Sequence, residues 1–170
     1  MARQHVAKNP LDVHERALRL LAVRSRSRRE LEVRLLRAGF EPDVVDEELI
    51  RLEVVGLVDD EAFARQLAEH HVISRRSGRR AVMGALAAKG VPRQVIEEAV
   101  AGFEGGEDER ALELARERAP RLAALPPDRA FSRLSSLLMR RGYDPATARD
   151  AARQALLAPD DEENPRSRGI

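Results

Sequence analysis

The stretch LEVRLLRAGFEP, Leu31 to Pro42, decides the fold, because the chain states the same plan twice more. It returns as VMGALAAKGVP from Val82 to Pro92 and as LSSLLMRRGYDP from Leu134 to Pro145. The three glycines, Gly39, Gly90 and Gly142, stand 51 and 52 residues apart. Eight positions before each glycine the residue is Leu31, Val82 or Leu134, and four before it is Leu35, Leu86 or Leu138. Phe40, Val91 and Tyr143 follow directly, and Pro42, Pro92 and Pro145 lie within three residues. A glycine just past a helix C-terminus adopts left-handed backbone without a Cβ penalty, and a proline pre-sets φ for the next helix. Each unit therefore holds a helix, a sharp stop and another helix.

Working outward, Val13, Ala17, Leu20 and Leu21 fit the spacing of one buried helical face and predict a first helix from Leu11 or Asp12 to about Arg24. Ser27 stands three residues before Glu30, a capping-box arrangement in which the serine accepts one free N–H and the glutamate reaches back for another. A third helix carrying Val44, Val45, Leu49 and Leu52 closes the first unit. Asp59 and Asp60 read as caps for the next helix. The basic helix from Arg79 to Lys89 and a helix with Val95, Ile96 and Val100 complete the second unit, and Gly102 to Gly106 form a linker. Leu112, Leu114 and Ala115, then Phe131, Leu134, Leu138 and Met139, then an alanine-rich run from Pro145, supply the third. The expected fold is all-α: three tandem three-helix repeats, 11–56, 57–105 and 106–158, in an elongated, curved rod, with flexible tails at 1–10 and 159–170.

At 170 residues, 43% hydrophobic but only 3% aromatic, the core must rest on aliphatic helix packing. No cysteine is present, which excludes disulfides, thiolate metal sites and cysteine nucleophiles. No apolar run approaches the roughly 20 residues that span a bilayer, so no membrane association and a cytoplasmic location are expected. The net charge of +1 hides segregation. Arg24 to Phe40 carries six arginines against Glu30 and Glu32, and Arg75 to Arg93 carries five plus Lys89 with no acid. Glu41 to Phe63 carries nine acids against Arg51 alone. The alternation suits attraction between neighbouring units, or one positive and one negative edge.

Chemistry-bearing constellations are missing. His5, His14, His70 and His71 lack metal-ligand spacing, and Gly105 with Gly106 makes no phosphate loop. Ser132, Ser135 and Ser136 have no histidine near them in sequence and read as surface or small packing residues. No catalytic residue, metal or cofactor is expected.

One likeness is specific. Ala17, Leu18, Leu20 and Leu21, then Ser27, Glu30, Leu31, Leu35, Leu36, Gly39 and Phe40, then Val55 to Glu61 with Phe63 and Ala64, together resemble the RecX family, bacterial regulators of the RecA recombinase. The likeness spans about residues 11 to 105 and continues in the same frame to about 157. Gly56 to Phe63 is its most specific part, with Leu57 where the family favours an aromatic.

The resemblance implies a non-enzymatic protein that binds RecA, above all its nucleoprotein filament, and limits filament extension, ATP hydrolysis, strand exchange and SOS coprotease activity. An extended array of modules touching several filament protomers gains avidity without a deep pocket. Arg28, Arg29, Arg75, Arg76, Arg79 and Arg80 are the candidate partner-binding residues, toward acidic filament surface or DNA phosphate; solvated helix faces account for them equally well. A monomer is expected, since no dimer seam is legible. The rival reading is a direct DNA binder using helix-turn-helix-like basic helices. Against it, the third helices are acidic where a recognition helix belongs, and aromatic residues for stacking are few.

Overall fold

Positive backbone angles at Gly39, Gly90 and Gly142 (φ +92°, +73° and +89°) mark the three helix stops expected from the repeat. The computed structural model describes residues 12–103 and 105–157. Leu11, Ala158 and the two tails lie outside the described residues. Among those described, every regular element is helical: α1 (Val13–Val23), α2 (Arg28–Arg37), α3 (Pro42–Val54), α4 (Asp60–Ile73), α5 (Arg79–Ala87), α6 (Arg93–Ala101), α7 (Glu107–Arg118), α8 (Pro127–Arg140) and α9 (Pro145–Leu157). A 3-10 turn, Ala119–Leu122, follows α7 where Pro120 cannot continue the α-helical ladder. In sequence order these are three helix triplets. Among the described residues no helix is long and apolar enough to cross a membrane.

In space the chain forms two compact units. The first comprises the described residues up to His70 together with Met83–Gly102, and the second comprises His71–Val82 with the described residues from Phe103 onward. Helices α4 and α5 thus each contribute residues to both.

In the first unit Val13 and Ala17 of α1, Leu31 and Leu35 of α2, and Val45, Leu49 and Leu52 of α3 bury one apolar stripe each. Leu20, Leu21, Leu36 and Phe40 close its margin. Val44, in the first turn of α3, is 45% exposed, at the margin of the stripe that buries Val45, Glu48, Leu49 and Leu52. Arg26 is buried: its Nε donates to the carbonyl of Leu20 (3.1 Å) and so satisfies part of the open C-terminus of α1. Burial, then the charges of Arg24 and Arg34, depress its affinity for the proton. Glu48 is buried on α3, held by His14 Nδ1 at 2.7 Å and Arg51 Nη1 at 2.8 Å.

In the second unit Ala148, Ala151, Ala152 and Ala155 of α9 sit at helical spacing against Ala111, Leu114 and Ala115 of α7 and Leu134 and Leu138 of α8. Small side chains let helix axes approach, and Tyr143 fills the end of this core as a fully buried ring. Ser135 is buried too and returns its hydroxyl to the carbonyl of Phe131 (2.8 Å), so of the surface and packing roles open to it, it takes the packing one.

Candidate partner-binding surface

The start of α2 is built by capping. Ser27 accepts from the Glu30 amide at 3.1 Å, as a capping box requires. The reciprocal half is not made. The Glu30 carboxylate leaves the helix end and takes Arg24 Nη2 at 2.9 Å and Lys89 Nζ at 2.8 Å. Two charged donors outcompete a backbone N–H. Burial alone would raise this carboxyl, but the hydrogen bonds and charges of Arg24 and Lys89 outweigh it and carry it down to about 2. The Ser27 hydroxyl donates to the Lys89 carbonyl (2.5 Å), joining the start of α2 to the stop after α5. Opposed helix-dipole ends meet there, which is favourable.

The second unit contains the same junction one repeat later. Gly78 N donates to Arg141 O (2.8 Å) and Arg80 N to Gly142 O (3.0 Å), so the start of α5 meets the stop after α8. A Cβ on Gly78 would overlap Gly142 and Tyr143, which accounts for glycine where the first repeat has Ser27. The Tyr143 hydroxyl donates to Arg76 O (3.2 Å), and Arg141 Nη1 donates to Arg75 O (2.7 Å). Arg79 N donates to Glu107 Oε1 at 2.9 Å. The loop between α4 and α5 is thereby tied to the third triplet at its backbone; Ser77 is buried, while Arg75, Arg76, Arg79 and Arg80 are exposed.

The six arginines singled out by sequence fall into two groups, one in each unit. Arg28 is engaged internally, with Nη2 on Asp46 at 2.6 Å and Nε on Glu53 at 3.0 Å. Arg29 pairs with Glu32 (2.8 Å), and a Cβ at Gly90 would strike its stem. The structure brings Arg75, Arg76, Arg79 and Arg80 together on one short exposed segment. Arg76, in left-handed backbone at φ 47°, forms an ion pair with Glu117. Among the described residues no carboxylate pairs with Arg75 or Arg80. Arg141, outside the charge runs of the sequence, joins this group. Its signal in the sequence is positional, since Lys89 and Arg141 both directly precede the repeat glycine and both reach toward the preceding triplet.

Comparison with known proteins bears on this directly. Residues 14–52 match the family model described as RecX, first three-helix domain, and residues 59–100 match RecX, second three-helix domain. The chain is 39% identical over 146 residues to the regulatory protein RecX of Mycolicibacterium vanbaalenii, covering 82% of this chain and 79% of that protein. The chain belongs to the RecX family. The RecX of Mycobacterium marinum is 40% identical over 143 residues, 83% of each chain. Among solved structures, RecX from Lactobacillus salivarius superposes with a TM-score of 0.78 at 19% identity, over 86% of this chain and 96% of that one. A second structure, of regulatory protein RecX, gives 0.74 at 20% identity, over 84% and 70%. Both carry the fold, and the tandem three-helix plan read from the glycine repeat is that of the family.

Proposed function

We propose that this chain binds the RecA recombinase assembled on DNA and restrains it by contact, with no reaction of its own. Bound to the filament it limits extension, and with it ATP hydrolysis, strand exchange and SOS coprotease activity. Membership of the RecX family supports this reading. The observation that carries it is the anchored basic segment: Arg75 and Arg80, with which no described carboxylate pairs, flank Arg76 and Arg79 on a backbone held by Gly78, Arg80, Arg141 and Tyr143. A cationic surface that is already ordered loses little conformational entropy on docking to acidic protein or phosphate. Arg29 supplies a second, smaller contact from the first unit, while Arg28 holds α3. We assign three functional triplets, at 11–56, 57–105 and 106–158, acting as a monomer in the cytoplasm. A polymer of regularly spaced protomers offers such tandem modules more than one contact, and linked weak contacts multiply.

Arg75→Glu with Arg80→Glu tests the surface. Neither side chain makes an ion pair with the described residues, so helicity and thermal stability are expected to stay within about 0.5 kcal/mol of the parent while co-sedimentation with RecA on single-stranded DNA weakens at least about tenfold. Unchanged co-sedimentation removes this segment from the interface.

A further inference from the structure

A second basic feature lies wholly inside the second unit. A cavity of about 450 Å³ opens between the end of α7, the 3-10 turn and one face of α8. Arg118, Arg121, Arg133, Arg140, Ser132 and Ser136 provide its polar wall, and Leu122 and Leu137 its apolar one. No acid lines it. Ser132, Arg133, Ser136, Leu137 and Arg140 share one stripe of α8, while Arg118 and Arg121 come from the opposite side. Arg118 is loosely tethered to Glu117 at 3.4 Å; among the described residues no carboxylate pairs with Arg121, Arg133 or Arg140.

Helix-end electrostatics explain part of this. Arg118 and Arg140 stand in the last turns of α7 and α8, where a cation offsets the dipole. Arg133 is in the middle of α8 and Arg121 is in the 3-10 turn, so neither gains that way. Four like charges around one concavity repel, a cost that a multiply charged anion removes. We infer that the cavity is a binding site for a phosphate-bearing ligand, a nucleotide or the backbone of a nucleic-acid strand.

Guanidinium forks match phosphate oxygens in pairs, and the two serine hydroxyls add donors on the same side. One carboxylate would neutralise a quarter of the positive charge, whereas a di- or triphosphate, or successive strand phosphates, neutralises most of it. The volume lies in the range of small-ligand sites, and the leucines offer a face for a sugar or base. No residue of the Arg75 to Arg80 segment lines this cavity; the two groups meet only at Glu117, which touches both Arg76 and Arg118, and the site is independent of the RecA reading.

The experiment measures binding of the full chain, without recombinase, to inorganic tripolyphosphate, to adenosine triphosphate and to a single-stranded oligonucleotide, each at low and raised salt. The same titrations are run on Arg133→Gln/Arg140→Gln and, as a variant outside the regular helices, on Arg121→Gln. Tripolyphosphate is expected to bind and raise the melting temperature, with affinity reduced about tenfold or more in the double variant and several-fold in Arg121→Gln. An oligonucleotide displaced by tripolyphosphate identifies a strand as the source; nucleotide binding without oligonucleotide binding identifies a free nucleotide. Parental affinity in both Arg121→Gln and the double variant overturns the site, as does failure of all three ligands to bind. Arg75→Glu/Arg80→Glu is expected to leave tripolyphosphate affinity unchanged, which separates this site from the proposed filament surface.

Discussion

Asp60 Oδ1 accepts the backbone N–H of Arg28 at 2.8 Å, so an acid in the first turn of α4 caps α2 in the preceding triplet. Its neighbour Asp59 caps its own helix through the Ala62 amide at 2.9 Å. Two adjacent aspartates therefore serve two helices in successive repeats. This pairing gives the Gly56 to Phe63 signature a physical reason: the turn at Gly56, φ +71°, delivers both carboxylates to their amides. Asp60→Ala strands a helix-end amide and removes a tie between triplets. It is expected to destabilise the chain by about 1–2 kcal/mol in urea titration, and Asp59→Ala by about 1 kcal/mol. Equal stability of Asp60→Ala and parent contradicts the cross-repeat cap.

Glu30 makes part of the stability pH-dependent. Its carboxyl lies at about 2 in the folded chain against an ordinary 4.5, so its contribution is whole above 4.5 and is lost as pH falls from 4.5 through about 2. Glu30→Gln is expected to be less stable than the parent at neutral pH, with the gap closing on acidification. Urea midpoints of both proteins across that interval measure it, and a gap independent of pH contradicts the assignment.

The three repeat glycines are not equivalent under substitution. A Cβ at Gly39 meets open space, so Gly39→Ala bears only the left-handed backbone strain, about 1–2 kcal/mol. At Gly142 the Cβ would also overlap the backbone of Ala81 at the start of α5. Gly142→Ala is expected to lower the melting temperature clearly more than Gly39→Ala. The reverse order contradicts the junction between α5 and the stop after α8.

Tyr143 is the only tyrosine and the chain has no tryptophan, so phenolate absorbance reports this residue alone. Burial raises its phenol above the ordinary 10.0, the nearby Glu107 adding to burial while arginines oppose it. Its stabilising effect is whole below 10.0 and is lost as pH rises through the folded value. Ionisation is expected only above the ordinary value, coupled to loss of structure. Tyr143→Phe, which leaves the Arg76 carbonyl without that donor, is expected to cost about 1 kcal/mol. Titration of the folded protein at the ordinary value contradicts the buried placement.

What could be read from the sequence is what depends on nearest neighbours along the chain. Gly39, Gly90 and Gly142 announce the helix stops because left-handed backbone is a local demand, and Leu31 with Leu35 reveals a buried face because helical spacing is local. Ser27 capping of Glu30 was legible for the same reason. The Glu30 carboxylate was not, because its partner Lys89 is 59 residues away. Asp60 looked like a cap for its own helix, since nothing in the chain's order reveals that Arg28 lies beside it. Glu48 gave no sign of burial, because only the folded arrangement brings His14 over it. At the candidate surface, charge runs located Arg75 to Arg80 but could not separate Arg28, spent on Asp46 and Glu53, from its neighbours. The stripe of Arg133 and Arg140 acquires meaning only opposite Arg118 and Arg121, which the chain's order does not reveal.

The most direct test of the regulatory account adds this chain, in amounts well below one per recombinase protomer, to RecA assembled on single-stranded DNA and follows ATP hydrolysis together with filament length. Hydrolysis is expected to fall and filaments to shorten as the chain is added, with the effect weakened in Arg75→Glu/Arg80→Glu. Filaments of undiminished length and unaltered hydrolysis at every ratio would contradict it.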